Sequence, residues 1–215
     1  MKSFVVIGLG RFGSALAREL SVLGNEVIAV DRSEHQVNAV ADEVTHAMTA
    51  DIHDENVLRR IGVAECDCAI VAFASDIQSN ILVTLLLKDL GVKKVIAKAS
   101  NAMHVRVLQK IGADQIVFPE ADMGKRMARI LSSGRMLDYI DIGGEYKVVE
   151  VRCPAHWAGR KLRELDLRTK YNINVLLIKN NDRLINPSAD YVIEKNDVAV
   201  IMGLENDVWV VSNEK

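Results

Sequence analysis

Six residues near the start, Gly8-Leu9-Gly10-Arg11-Phe12-Gly13, leave this chain few folds to choose from. They follow an apolar run at residues 4–7, which predicts a buried strand. They precede a stretch with 3.6-residue apolar period at residues 11–23, which predicts a helix that Gly24 stops. In a strand–G-x-G-x-x-G–helix unit the first glycine permits the tight turn, the second leaves room for a pyrophosphate, and the third lets helix and strand approach closely. The helix then turns unpaired N–H groups and the positive end of its dipole toward an anion. Asp31 lies 18 residues past Gly13, at the end of the next predicted strand (27–30). A carboxylate there accepts hydrogen bonds from ribose hydroxyls. These residues predict a nucleotide cleft.

The same alternation continues. Apolar runs at residues 45–48, 69–73, 94–97 and 115–118 are separated by helical patterns at 53–61, 77–90 and 102–111, and Ser33 with Gln36 forms a weak capping box for a helix reaching about residue 41. Runs that are apolar throughout, rather than at every second residue, imply a parallel sheet covered on both faces. The predicted fold class is therefore α/β, a Rossmann-like doubly wound parallel sheet with a small α+β domain behind it. A helix is expected over residues 120–139, carrying Met123, Met127, Ile130, Leu131 and Leu137, as a connector or a dimerisation element. Gly143-Gly144 breaks the pattern. The expected division is residues 1–140 for the nucleotide-binding domain with its long helix, and 141–215 for the second. Strands at 147–151, 173–178, 183–185 and 198–202, a helix at 160–165 and a turn at Asn180-Asn181-Asp182 are expected in the latter.

Composition removes several classes of function. Lys and Arg number 27 against 29 Asp and Glu, so no cationic excess is available to displace counterions from nucleic acid. The best apolar run, residues 77–87, carries Gln78, Ser79, Asn80 and Thr84, which argues against a membrane span. The start of the chain reads as a strand rather than a signal peptide. Three cysteines, Cys66, Cys68 and Cys153, point to reduced thiols, and Cys66-Asp67-Cys68 reads as small residues entering a strand rather than a metal half-site.

Arg11 sits inside the glycine loop, where a guanidinium pairs with terminal phosphates, so it points to a nucleoside di- or triphosphate. Asp31 repels a 2′-phosphate, and Arg32 partly offsets that. Asp51, Ser75, Lys98 and Glu120 fall at predicted strand ends, on the edge where open α/β sheets bind ligands. Asp51 is placed for the adenine or ribose, Lys98 for phosphate, and Glu120 for a cation or an interface. Phe12, Ile52 and Ala74 complete the candidate cleft. His35, His46, His53 and His104 read as solvated, and His156 is the single histidine of the second domain. With no Ser/His/Asp or Cys/His arrangement in view, a sensor is favoured over an enzyme. The alternatives are an NAD-dependent oxidoreductase, and a ligand-sensing Rossmann module of another transport protein.

Taken in order, Gly8–Gly13, Ala50-Asp51, Asn80-Ile81, Lys98-Ala99, Ile111-Gly112-Ala113-Asp114 and Pro119-Glu120 resemble the RCK domain (regulator of K⁺ conductance) of KtrA/TrkA-type gating subunits of bacterial potassium transporters. The stretch Leu165–Tyr171 with Ile173-Asn174-Val175 is similar to the C-terminal RCK subdomain, so the resemblance covers essentially the whole chain. It implies a cytoplasmic protein held at the inner face of the membrane by a membrane-embedded potassium channel subunit, and self-association to dimers and an octameric ring. It implies ATP and ADP, and in some members NAD(H), in the cleft. Arg11 and Lys98 would meet phosphate, Asp31 the ribose, and Glu120 the phosphates or a divalent cation such as Mg²⁺ or Ca²⁺. It also implies cyclic di-AMP in the C-terminal lobe of several relatives, at the positions of Arg168, Asn174 and Pro187. Nucleic acid and direct membrane insertion are not expected.

Overall fold

A computed structural model describes residues 1–181 and 183–214. The chain divides into two compact units, Met1–Pro119 and Glu120–Lys215. The first runs β1 (Ser3–Ile7), α1 (Arg11–Val22), β2 (Glu26–Asp31), α2 (Glu34–Asn38), β3 (His46–Thr49), α3 (Glu55–Ile61), β4 (Cys68–Val71), α4 (Ile77–Asp89), β5 (Val95–Lys98), α5 (Ala102–Ile111) and β6 (Gln115–Val117). All six strands are parallel, in the order β3-β2-β1-β4-β5-β6. The connections run outward to β2 and β3 on one side of β1 and to β4, β5 and β6 on the other. That reversal opens a crevice at the carboxyl ends of β1 and β4.

Both faces of the sheet are covered. Val5 and Ile7 of β1 pack with Val71 and Leu87 on one side, and Val6 packs with Ala17 and Val27 on the other. This is why β1 reads as an unbroken apolar run. Side chains start the helices of the crevice side: Asp54 accepts the Asn56 N–H at 2.8 Å before α3, Asp76 the Ser79 N–H at 3.1 Å before α4, and Asn101 the His104 N–H at 2.9 Å before α5. The capping box expected at Ser33 does not form, since its side chain makes no cap hydrogen bond and α2 lasts only five residues.

The second unit contains α6 (Pro119–Ser132), β7 (Met136–Asp141), β8 (Tyr146–Arg152), α7 (Leu162–Leu165), α8 (Leu167–Tyr171), β9 (Asn174–Asn180), β10 (Arg183–Ile185), β11 (Val198–Leu204) and α9 (Glu205–Asn213). Its antiparallel sheet has the order β10-β9-β11-β8-β7. Burial alternates along β8 and β11, so one face meets a core of Trp157, Ile173, Ile178, Ile201, Val208 and Val211.

The helix expected over residues 120–139 is corrected here: α6 ends at Ser132. Ser132, Ser133 and Gly134 are poor helix formers, and the Ser133 hydroxyl accepts the Met136 N–H at 3.0 Å to start β7. Met136 and Tyr139 then enter the sheet core. By compactness the chain divides at Pro119/Glu120, so α6 falls with the second unit. The helices α8 and α9 carried no clear pattern in the sequence. The turn expected at Asn180-Asn181-Asp182 includes Asp182, which lies outside the described residues.

Candidate nucleotide-binding site

The carboxyl ends of β1, β2, β3 and β4 surround a cleft of about 260 Å³. Its floor is the glycine loop. Gly8 has φ +94°, and a Cβ there would lie 2.8 Å from the Phe73 ring and 3.2 Å from the Phe73 nitrogen. A Cβ on Gly13 would sit 1.8 Å from the Gly8 carbonyl oxygen, so only glycine lets α1 come this close to the end of β1. Gly10 is different: its missing side chain faces open space, with nothing within 4 Å. It is the N-cap of α1 and offers no side-chain acceptor, so the first-turn N–H groups remain available to an anion.

Asp31, at the end of β2, is tied to this loop. Its carboxylate accepts the Leu9 N–H at 2.6 Å and the Ser33 N–H at 2.8 Å. It thereby joins the position expected for a ribose to the turn expected to hold phosphate. Arg32 and Gln36 continue the wall. Beyond β3, Ile52 is buried and lines the cleft beside His53. The His53 Nδ1 lies 2.8 Å from the Asp51 carboxylate, which also accepts the His53 backbone N–H at 3.1 Å. Those two hydrogen bonds hold the Asp51 carboxyl below its ordinary value. Across the cleft stand Phe73, Ser75, Asp76 and Ser79. The Ser79 hydroxyl and N–H both donate to Asp76 and keep its carboxyl low and charged.

Of the residues singled out in the sequence, Gly8, Gly10, Asp31, Arg32, Ile52 and Ser75 line this cleft. Gly13 and Ala74 are buried beside it, and Arg11 is the exposed first residue of α1. Asp51 is exposed and acts on His53 rather than lining the cleft itself. The Lys98 ammonium lies 5.7 Å from the centre of the Phe12 ring. Glu120 is exposed in the first turn of α6 and belongs to the second unit. His53, Gln36, Phe73, Asp76 and Ser79 were not anticipated. Asp76 and Ser79 had a legible signal, an Asp-x-x-Ser cap just after an apolar strand.

His53 lines the cleft with 34% of its side chain still exposed, whereas the expectation of a solvated His104 is corrected. His104 is 2 % exposed, because the first turn of α5 points it inward against Asn80. The thiols are free, and burial pushes Cys68 up to about 11 and Cys153 to about 12. Among the described residues no group of three or more His, Cys, Asp or Glu is placed to hold a metal ion.

In the second unit, Arg168, Asn174 and Pro187 line one groove of about 380 Å³ together with Arg163, Leu167 and Ile173. Among the described residues no helix is long and apolar enough to cross a membrane.

Comparison with known proteins agrees with this architecture. The TrkA-N domain family matches residues 4–119, and the TrkA-C domain family matches residues 148–212. The chain is 44% identical to Ktr system potassium uptake protein C of Bacillus subtilis over 208 residues, covering 96% of this chain and 94% of that one. It is 42% identical to Ktr system potassium uptake protein A of the same organism over 214 residues, 99% and 96% of the two chains. A solved structure of the GsuK channel bound to NAD shares the fold, with a TM-score of 0.70 at 18% identity over 99% of this chain and 40% of that one. With both domains matched in order and identity above 40% along nearly the whole length, the protein belongs to the KtrA/TrkA family of RCK subunits.

Proposed function

We propose that the chain is the cytosolic regulatory subunit of a K⁺ uptake system, a nucleotide sensor rather than an enzyme. It takes ATP or ADP in the cleft of the first unit, with NAD(H) as a further ligand of the same site. It controls ion flux through a separate membrane-embedded subunit, at the inner face of the membrane, by a change in the shape of an octameric ring. The observation that carries this reading is the Asp31 carboxylate bonded to the Leu9 N–H beside the open space at Gly10. Ribose and phosphate positions are thereby coupled in one rigid loop. Kinship with the Ktr potassium uptake proteins supports the transport role.

Arg11 and Lys98 meet the phosphates, Asp31 the ribose, and Glu120 a divalent cation, Mg²⁺ or Ca²⁺. Cyclic di-AMP takes the groove of Arg168, Asn174 and Pro187. Self-association is supported by α6, which has no buried residue and exposes Met123, Met127 and Leu131 at a spacing of four. Gating follows from differential affinity: ATP shifts the ring population only as far as it binds one shape better than the other. The test is a thermal-shift series with ATP, ADP, NAD⁺, NADH and cyclic di-AMP. A ligand at about 100 times its Kd adds roughly 2.7 kcal/mol to stability. No shift with any of them refutes the sensor reading. Arg11→Ala is expected to weaken ATP more than ADP, and an unchanged ratio would remove Arg11 from the γ-phosphate role.

A further inference from the structure

We propose that Asn80 and His104 form a positioning pair that sets the nucleotide cleft from behind, without touching its contents. Both are fully enclosed, Asn80 at 0 % and His104 at 2 % exposure, and neither lines the cleft. The Ser100 backbone N–H points at His104 Nδ1 at 3.3 Å, which makes Nδ1 the acceptor and puts the ring proton on Nε2. Nε2 lies 3.1 Å from Asn80 Oδ1 and donates to it. The Asn80 amide therefore has only one orientation. Its NH₂ group donates to the Phe73 carbonyl at 2.5 Å and to the Lys98 carbonyl at 3.1 Å. Turned the other way, its oxygen would face two carbonyl oxygens.

Those two carbonyls follow neighbouring parallel strands, one just past β4 and one at the end of β5. Phe73 is the residue whose ring and nitrogen crowd Gly8, so its position fixes how far the glycine loop can move. Lys98 carries the ammonium near Phe12 at the start of α1. A single buried amide thus clamps both strand ends to α4, and His104 on α5 holds the amide. Nucleotide affinity depends on that clamp even though the ligand never meets it.

The inference rests on the reading that the cleft binds an adenine nucleotide. The experiment compares ATP affinity by calorimetry and unfolding by urea for wild type, His104→Gln, His104→Asn and His104→Leu. Glutamine places an amide donor where Nε2 was and keeps the bond to Asn80. Asparagine reaches only the Nδ1 position and leucine offers no polar atom. The expected result is ATP binding within about threefold of wild type for His104→Gln, and about tenfold weaker for the other two, the loss typical of one buried hydrogen bond. Equal affinities across the four proteins, or equal losses in all three variants, overturn the pair's role. Wild type that binds no nucleotide instead refutes the proposed function. Should the asparagine and leucine variants fail to fold, hydrogen exchange on wild type decides: ATP is expected to protect residues 98–104 together with 72–80. Protection that leaves residues 98–104 unchanged overturns the proposal.

Discussion

Gly13→Ala and Gly10→Ala separate fold from ligand within one six-residue loop. At Gly13 the added Cβ would fall 1.8 Å from the Gly8 carbonyl oxygen, and contacts below 3.0 Å are essentially never seen, so α1 must retreat by about 1.2 Å. A radial gap of that size forfeits roughly half of each dispersion contact along the interface. The Gly8 oxygen is backbone and cannot swing aside. Overpacking of this kind costs about 3 kcal/mol or somewhat more, a fall in Tm on the order of 10 °C. At Gly10 the added Cβ meets nothing within 4 Å, and φ is −68°, ordinary for alanine. The entropy gained by removing a glycine and the poorer N-cap offset each other, so stability should stay within about 1 kcal/mol of wild type. The methyl group would instead occupy the space needed by phosphate. Thermal unfolding with and without ATP reads both effects. Gly13→Ala melts early, while Gly10→Ala melts normally but loses its ATP shift. A Gly13→Ala protein melting within a degree of wild type, or a Gly10→Ala protein with its full ATP shift, refutes the assignment of roles to the two glycines.

Three further outcomes are expected. Burial holds the His104 imidazole below its ordinary value of 6.5, so the unfolded chain protonates first and stability declines as the pH falls below about 6.5, levelling off past the folded-state value. His104→Gln should lose less unfolding free energy between pH 7 and 5 than wild type, and equal slopes in urea titrations would contradict this. Asp114 accepts the Val95 N–H at 2.7 Å and the Lys88 ammonium at 2.9 Å, which hold its carboxyl below 3.8. Its contribution is present above that value and lost as the pH falls through the folded-state one. Partial exposure limits it to about 1 kcal/mol, so Asp114→Asn should cost that much at pH 7 and flatten the acid limb of the stability curve. Arg168→Ala should weaken cyclic di-AMP binding by about tenfold or more, as loss of a charge-assisted bond does, with ATP affinity unchanged. A retained cyclic di-AMP affinity would move that ligand out of the Arg168 groove.

The first unit was legible because its signals are local. The central strands β1 and β4 are short apolar runs, and helices carry their own period and stop, as at residues 102–111 with Gly112 behind them. The glycine loop and Asp31 needed no tertiary information, since their spacing already requires a strand, a turn and a helix. The long helix failed at Ser132 for the opposite reason. Leu137 continues the helical period, but β7 is decided by pairing with β8, a partner ten residues on. His104 failed likewise, since its surroundings come from α4 and from the loop before α5.

The residues alone determined the alternating α/β order, the G-x-G-x-x-G turn and the position of Asp31, because these depend on local period and on backbone freedom. Only the tertiary structure decided that Phe73 guards Gly8, that His53 and Asp76 wall the cleft, and that Asn80 clamps two strand ends. Each of these contacts joins segments that the sheet order brings together, and no spacing along the chain encodes that approach.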